Sequence, residues 1–366
     1  MALLTHKIDS IQALRAIAVI LVVYTHSIDY SADIFGTSRQ ASFYYLANWG
    51  AIGLDLFFVI SGFIMTRIIK SYQHNDGWRL FAGKRALRIV PLYWGISLIA
   101  GLLIMRTYPI RFATILKTVV FFPIVESTFE FPIIGVGWSL SYEIYFYSLI
   151  TILLLINVKK IELSVFFLLI LLSLVGVLSD SPVVLIRFLT SPLLFEFALG
   201  IGCGLIYDKL PVTSTLCRWS GLLFMVGLLG MVSSVFWQYG DLSEAGSVTQ
   251  SNYLAYLRGI IWGIPCALFL LGSTLAERTY SFSIPSSLVR IGDASYANYL
   301  LHGLLISFGR TTFLKLNLSA DSYILFLVVF CTVGSLFVYQ FVEKPMTKKL
   351  TTYFFPKRLG IARLAS

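Results

Sequence analysis

The chain has 366 residues, of which 57% are hydrophobic and only 13% are charged, and its mean hydropathy is +0.83. This composition is far more apolar than that of soluble domains, so it excludes an ordinary water-soluble enzyme and predicts that lipid is the solvent. The formal net charge is +10, but the basic residues lie between apolar runs and form no continuous patch, so we expect membrane lipids and no nucleic acid as partners.

Apolar runs of a length that spans a bilayer recur along the whole chain. They lie at approximately 11–29, 50–69, 89–105, 138–157, 161–179, 186–206, 218–237, 255–275, 295–314 and 321–342. This pattern predicts an all-α polytopic membrane bundle of about ten transmembrane helices. We expect a transmembrane domain at 1–345 and a basic cytoplasmic tail at 346–366. The first run has no small-residue cleavage pattern after it, so we expect it to remain as a helix.

The distribution of Lys and Arg predicts the orientation. The connections on the side of the N-terminus hold roughly eighteen of these residues and the other set roughly five, which places both termini in the cytoplasm. The stretch from Arg111 to Pro132 is short and is broken by Pro123, so we interpret it as an interfacial or re-entrant piece on the outer side. The four cysteines have no CxxC spacing and no clustered histidines, so we expect packing residues and no metal site.

Ionisable residues inside the apolar runs are candidates for function, because burying one in a bilayer costs a few kcal/mol unless it has a partner, a watery cavity or a catalytic role. In the first run, Arg15 and His26 are eleven residues apart, so they share a helix face and lie about 16 Å apart along its axis. The alternative is two unrelated boundary residues, with Arg15 extending inward and His26 capping the outer end.

The second run carries Asp55 near its outer end and the pair Ser61 and Gly62 near mid-membrane. Asp55 and Gly62 are seven residues apart and so lie on one face of a helix. Gly62 permits the close approach of a slender ligand or of another helix, and helix packing is sufficient to explain the Ser-Gly pair taken alone.

Arg85 and Arg88 lie just before the third run and, if helical, face one way as a fork that can hold phosphate. When the pair is considered alone, an ordinary positive-inside anchor is the better explanation. Glu143 lies about one turn inside the outer end of the fourth run, where a carboxylate can hold an imidazole or simply reach water. Glu196 and His302 are two further ionisable groups, each compatible with packing.

Six segments in order resemble the integral-membrane acyltransferase type 3 family over nearly the whole chain. They are QALRAIAVILVVYTH, GLDLFFVISGFIM, the Arg85 and Arg88 pair followed by IVPLYW, GWSLSYEIYFY, IGDASYANYLLHG and FVEKP. Gln12 stands where many members have Asp, and this departure resembles the exopolysaccharide and nodulation-factor acetyltransferase branch.

The resemblance implies residue roles. The family's Arg-x10-His motif falls on Arg15 and His26, its Arg-x-x-Arg motif on Arg85 and Arg88, its Ser-Gly-Phe motif on Ser61, Gly62 and Phe63, and its acidic position after Trp-Ser-Leu on Glu143. It also implies acetyl-CoA as the acyl donor, a saccharide or glycolipid as the acceptor, no metal, and a place in the bacterial inner membrane.

Our hypothesis from these residues is an O-acetyltransferase. Arg85 and Arg88 bind the phosphates of acetyl-CoA, and its slender arm enters past Ser61 and Gly62 among the first, second and ninth runs. His26 acts as general base on a sugar hydroxyl, either directly or through an acetyl-histidine intermediate. Glu143 or Asp55 orients the imidazole, and Arg15 positions the donor.

The rival classes are a multi-pass glycan or lipid transporter and a structural or sensory membrane protein without catalysis. Buried charges in about ten spans suit ion-coupled transport. A transporter, however, predicts inverted repeats and helices broken near the midplane, and no repeat is evident in the sequence. A non-catalytic protein leaves the buried Arg15 and His26 unexplained.

Overall fold

The computed structural model describes residues 8–35, 38, 46–106, 108–179, 181–236, 240–280, 283–313 and 318–356. Throughout this part of the chain the regular secondary structure is helical. The helices are α1 (Asp9–Phe35), α2 (Leu46–Trp49), α3 (Ile52–Ile68), α4 (Gly77–Ile104), α5 (Phe112–Val120), α6 (Gly137–Leu155), α7 (Ile161–Ser179), α8 (Val184–Leu189), α9 (Leu194–Lys209), α10 (Ser214–Ser233), α11 (Gly240–Ser243), α12 (Ala245–Gln250), α13 (Asn252–Arg258), α14 (Ile264–Tyr280), α15 (Ser286–Asp293), α16 (Ser295–Phe313), α17 (Ala320–Val338) and α18 (Lys344–Phe354).

The transmembrane pattern agrees with the sequence prediction. In the described ranges, nine helical segments are long and apolar enough to cross a membrane, and each coincides with one of the expected runs. The remaining expected run, 295–314, forms α16, which has 19 residues and is more polar than the others. The predicted helical membrane bundle is therefore confirmed. The expected domain boundary at 345 falls just inside α18, and residues 357–366 of the expected tail lie outside the described residues.

Helices α1, α3 and α9 form the centre of the bundle. Helix α3 packs on α1 and on α9, and α1 also packs on α15, α16 and α17. Small residues allow these close approaches: a Cβ on Gly53 would lie 2.2 Å from the Ala18 carbonyl oxygen, and one on Gly200 would lie 2.0 Å from the Val59 carbonyl oxygen. This is the usual basis of helix association in lipid, where close backbone packing replaces the hydrophobic effect.

Two long spans contain a π-helical turn. Gly259–Gly263 joins α13 to α14, and Tyr339–Glu343 joins α17 to α18. Such turns widen a helix by one residue and re-aim the side chains around them. The first directly follows Arg258, and the second ends on Glu343, so each lies next to a buried ionisable side chain.

The stretch that the sequence predicts as interfacial contains only α5 and irregular backbone, with Phe121 at a positive φ of 66°. Its apolar side chains Phe112, Ile115 and Val119 are exposed at 73%, 41% and 47%. An exposed apolar face on a helix of nine residues, too short to span, is what an element lying along a membrane surface requires.

Candidate active site

A cavity lies among α1, α3, α4, α6 and α16, with about 730 Å³ of empty space that includes open solvent. Its wall combines arginine, carboxylate and hydroxyl groups with aromatic and aliphatic side chains. The polar and charged residues of the wall are Arg15, Ser61, Arg85, Arg88, Ser139, Glu143, Tyr147, Ser295, Tyr296 and Tyr299. Five of the eight residues proposed from the sequence therefore line one space, although they come from four different helices.

Three guanidinium groups face a single carboxylate in this wall. Arg85 and Arg88 lie on α4 one turn apart, which confirms that they are helical, and Arg15 reaches the same cavity from α1. Arg15 donates a hydrogen bond to Gln12 Oε1 over 3.2 Å, so a neutral amide takes the position from which a carboxylate could neutralise it. The cavity wall consequently has an excess of positive charge and can bind an anion.

Two more carboxylates act on these arginines from outside the wall. Glu343, from the π-helical turn, interacts electrostatically with Arg88 and Arg15, and Asp293 interacts with Arg15. Glu343 is buried, being 7% exposed. These two carboxylates partly balance the positive charge of Arg15 and Arg88.

Glu143 is engaged within the cavity. Its Oε1 accepts a hydrogen bond from the Tyr147 hydroxyl over 2.5 Å and one from the Ser61 hydroxyl over 3.3 Å. Tyr147 in turn lies under the Arg85 guanidinium, which is 5.6 Å from the ring centroid. Glu143 is therefore part of a chain that joins α3, α6 and α4, and the expected hydrogen bond from the His26 imidazole to Glu143 is not formed.

The other end of the cavity closes on Tyr299. The Ser139 and Tyr299 hydroxyls are 2.7 Å apart, and the Tyr299 hydroxyl donates to the Val136 carbonyl oxygen over 3.2 Å. The Tyr299 ring packs against Phe57 at 5.9 Å and against His302 at 6.1 Å between ring centroids. These contacts form an aromatic layer between the arginine-lined space and the residues beyond it.

His26 lies beyond this layer and outside the cavity wall. Its imidazole stacks on that of His302 with centroids 5.1 Å apart and an interplanar angle of 20°. Its Nδ1 is 3.6 Å from Asp29 Oδ2, and its side chain is 39% exposed, whereas His302 is 1% exposed. The carboxylate beside His26 is thus Asp29, from the next turn of the same helix.

Asp55 has a different partner from the one expected. It accepts hydrogen bonds from Arg258 Nε over 2.9 Å and from Arg258 Nη2 over 2.8 Å, and both residues are buried. Arg258 also donates to the carbonyl oxygens of Leu242 and Ala51, and it lies 4.8 Å from the Trp262 ring centroid. The suggestion that Asp55 orients the His26 imidazole is therefore wrong, because both its oxygens are committed to a buried bidentate pair.

Gly62 also departs from its expected role. A Cβ at this position would lie 2.1 Å from the Phe197 carbonyl oxygen and 3.0 Å from the Gly200 Cα. Gly62 therefore faces α9 and serves helix packing, whereas its neighbour Ser61 faces the cavity. The packing interpretation of the glycine is correct, and its proposed contact with a coenzyme is not.

Sequence reasoning missed several residues of this region. Arg258 is a single cation in the apolar run YLAYLRGIIWG, which is a signal that could have been read. Tyr147 lies four residues after Glu143, and Tyr299 three residues before His302, so helical spacing would have placed each beside its neighbour. Among the described residues no group of three or more His, Cys, Asp or Glu side chains could hold a metal ion.

A family model described as an acyltransferase domain matches residues 8–340. The chain belongs to the acyltransferase type 3 family. The matched range contains every residue of the cavity wall and both stacked histidines. Together with the nine helical segments that can cross a bilayer, this makes the protein a membrane acyltransferase.

This acyltransferase is similar to the exopolysaccharide production protein ExoZ of Rhizobium meliloti (strain 1021). The two are 28% identical over 318 residues, which cover 82% of this chain and 90% of ExoZ. No solved structure matches the chain.

Proposed function

We propose that this acyltransferase transfers an acetyl group from acetyl-CoA to a hydroxyl of a saccharide, as an O-acetyltransferase of exopolysaccharide in a bacterial inner membrane. The family membership and the similarity to ExoZ support acyl transfer in exopolysaccharide production. The lysine and arginine distribution supports an orientation in which the end of the bundle that carries Arg85 and Arg88 faces the cytoplasm, where acetyl-CoA is available.

The cavity is the structural observation that best supports this proposal. An acyl-CoA is a slender thioester with a strongly anionic end, and the cavity joins three arginines to a narrow, largely apolar space inside the bundle. Arg85 and Arg88 are placed to bind the phosphates, because guanidinium groups pair with phosphate oxygens through parallel hydrogen bonds. Arg15 reaches the same cavity from α1 and positions the donor arm. Ser61 also lines the cavity and contacts the same arm.

His26 is the general base in this mechanism. It is the imidazole nearer the outer surface and is partly exposed, so a saccharide can approach it. His26 takes the proton of the sugar hydroxyl as the oxygen attacks the thioester carbon; the carbon–sulfur bond breaks, and the thiolate leaves and is protonated. Asp29 is placed to stabilise the imidazolium that forms. Glu143 acts indirectly, by holding Ser61 and Tyr147 and balancing the arginines.

The test measures the KM of wild-type protein and of Arg85→Ala and Arg88→Ala in detergent, using acetyl-CoA and acetyl-pantetheine as donors. Because the arginines are assigned to the phosphates, each substitution should raise the KM for acetyl-CoA by about tenfold or more and leave that for acetyl-pantetheine unchanged. Arg79→Ala is the matched control, since Arg79 is 67% exposed, pairs with Asp76 and lies outside the cavity wall.

Two further results would decide the chemistry. Membranes that carry His26→Ala should fail to incorporate labelled acetyl into glycan, and mass spectrometry of the glycan should identify the acceptor by the mass of one acetyl group. Wild-type rates in His26→Ala, or no consumption of acetyl-CoA by purified wild-type protein in detergent, would overturn the proposal and favour transport. A single turnover without glycan separates direct transfer, which leaves the protein unlabelled, from an acetyl-histidine intermediate.

A further inference from the structure

The two halves of the proposed site, the arginine-lined cavity and His26, are not connected in this structure. Arg15 lines the cavity and His26 does not, although both lie on one face of α1. Between them on that face are Val19 and Val22, which are 0% and 5% exposed. A donor held by the arginines therefore needs a route past these aliphatic side chains to reach the imidazole.

One face of α16 extends from the cavity to His26. Ser295, Asn298 and His302 are spaced by three and four residues, so they lie on the same side of the helix over about 10 Å of its length. Ser295 lines the cavity at one end, and His302 stacks on His26 at the other. The three residues are 0%, 1% and 1% exposed, so this face connects the two halves entirely within the protein.

Four polar atoms of this face lack partners in the described part of the chain. Ser295 Oγ, Asn298 Oδ1 and Nδ2, and His302 Nε2 are buried and make no hydrogen bond to any residue in the described part of the chain. Buried polar groups are almost always satisfied, and leaving one unpaired is costly. A row of four such atoms on one helix face is therefore evidence for a ligand that supplies the missing hydrogen bonds.

The chemistry of the row indicates what kind of ligand fits. His302 Nδ1 is 3.2 Å from the Asn298 carbonyl oxygen, which can only accept, so Nδ1 carries the proton and Nε2 is an acceptor. The Asn298 side chain offers one acceptor and two donors in a planar group. A carboxamide of this kind can accept a hydrogen bond from the N–H of one amide of a ligand and donate one to the carbonyl oxygen of another.

We propose that this face of α16 binds the amide-containing arm of the acyl donor, with Asn298 Oδ1 accepting a hydrogen bond from an amide N–H of the arm and Nδ2 donating one to a carbonyl oxygen of another amide in the arm. This inference rests on the proposed function and extends it, because it names the residues that guide the thioester from the arginines to His26. Ser295 makes the first contact at the cavity, and His302 Nε2 accepts a hydrogen bond from the amide nearest the thioester. Since the face is closed in this structure, donor binding separates α16 from α1.

The decisive variant is Asn298→Leu, which keeps the size of the side chain and removes its polar atoms. If Asn298 serves the ligand, the unliganded variant should melt at the wild-type temperature or above it, since an unpaired buried amide has been removed. The rise in melting temperature that coenzyme A produces in the wild type should be largely lost, and the KM for acetyl-CoA should rise at least tenfold. Ser295→Ala should show a smaller change in the same direction.

Ser335→Ala is the matched control. Ser335 is fully buried on α17, and its hydroxyl already has a partner, the Cys331 carbonyl oxygen of its own helix, so this variant should respond to coenzyme A as the wild type does. A lowered melting temperature of unliganded Asn298→Leu, or failure of that variant to fold together with a wild-type KM in Ser295→Ala, would assign the face to structure and overturn the inference.

The experiment separates this inference from the proposed function. If wild-type protein neither gains stability from coenzyme A nor transfers acetyl, the proposed function fails. If the wild type does both and Asn298→Leu has the wild-type KM and the wild-type response to coenzyme A, only the assignment of α16 fails.

Discussion

The imidazole of His302 lies parallel to that of His26, with 5.1 Å between ring centroids, and is fixed from behind by the Asn298 carbonyl oxygen. A flat neutral ring in this position restricts the rotation of His26 without competing for its protons. His302 is buried and its Nδ1 is engaged by Asn298, whereas the His26 side chain is partly exposed, so His26 is the member of the pair that a sugar hydroxyl can reach.

Substituting His302 tests this arrangement. We expect His302→Ala to lower kcat by about 100-fold, because a misplaced base loses alignment with the reacting hydroxyl. His302→Phe keeps a ring under His26 and should recover most of kcat, while its KM for acetyl-CoA rises because the Nε2 acceptor is gone. Steady-state kinetics with acetyl-CoA and glycan acceptor measures both effects, and His74→Ala, a histidine at the opposite end of the bundle, is the control. Equal kcat in the Ala and Phe variants would contradict a role for the stack.

The buried pair of Asp55 and Arg258 should contribute to stability and not to chemistry. Asp55→Leu removes the carboxylate that pairs with the buried Arg258 guanidinium through two hydrogen bonds, so we expect a loss of about 3–5 kcal/mol in the free energy of unfolding. The double variant Asp55→Leu/Arg258→Met removes both charges and should recover most of that loss.

Thermal unfolding in detergent measures the stability of the single and double variants, and acetyl transfer measures their function. Because neither residue lines the cavity, the double variant should transfer acetyl at a rate close to that of the wild type once it is folded. If the double variant is stable but inactive, Asp55 has a role in catalysis and the structural assignment is wrong.

Gly62 and Gly95 form a matched pair of helical glycines. A Cβ on Gly62 would lie 2.1 Å from a carbonyl oxygen of α9, whereas a Cβ on Gly95 meets nothing within 4 Å. Gly62→Ala should therefore separate α3 from α9 and lower the melting temperature by several degrees, and Gly95→Ala should leave it unchanged or slightly raised because alanine favours helix. If Gly62→Ala leaves the melting temperature unchanged, α9 can shift enough at this contact to accommodate the added methyl group.

The fold was largely predictable from the sequence, because spans are set by the length and polarity of apolar runs. The run 295–314 shows where this reasoning is weakest: α16 carries Asn298 and His302 inside the protein, so its composition resembles that of an interface more than that of a lipid-facing helix. A helix inside a bundle is shielded from lipid by its neighbours, so it can carry polar side chains. These side chains lower its mean hydropathy, so the helix looks less like a membrane span.

The candidate site was predictable in part. Arg15 could be selected because a charge inside a membrane span needs a reason, and Arg85 and Arg88 were selected by the family resemblance; all three line one cavity. The side chains with which the candidate residues pair could not be predicted. Asp55, for example, pairs with Arg258, which is 203 residues away in the sequence. Periodicity places a side chain on a face of its own helix but does not show which other helix that face meets.

Lys117 provides a test of electrostatics outside the spans. It lies on α5, is 4% exposed, and donates to Glu126 Oε2 over 3.0 Å, with Glu126 itself 1% exposed. The ammonium also lies 4.4 Å from the Phe129 ring centroid. Burial lowers the pKa of Lys117 from its ordinary 10.5, and the hydrogen bond with Glu126 opposes this without cancelling it.

The sign of the resulting pH dependence follows from proton linkage. Between the lowered pKa in the folded state and 10.5 the unfolded chain binds more protons, so stability should rise with pH in this alkaline window. Below the window both states carry the proton, and the full cost of burying the charge is present. Lys117→Met has no proton to lose, so the difference in melting temperature between wild type and this variant should shift in favour of the wild type as pH rises.

Melting curves in detergent from neutral pH to 10.5 measure this difference. Lys159→Met is the control, because Lys159 is exposed and its substitution should leave the pH profile of the wild type unchanged. Glu126→Gln removes the group that holds the ammonium in place, so it should lower stability at neutral pH and steepen the alkaline rise. A wild-type profile parallel to that of Lys117→Met would mean that Lys117 is hydrated in the membrane and that the segment from α5 to Glu130 opens to water.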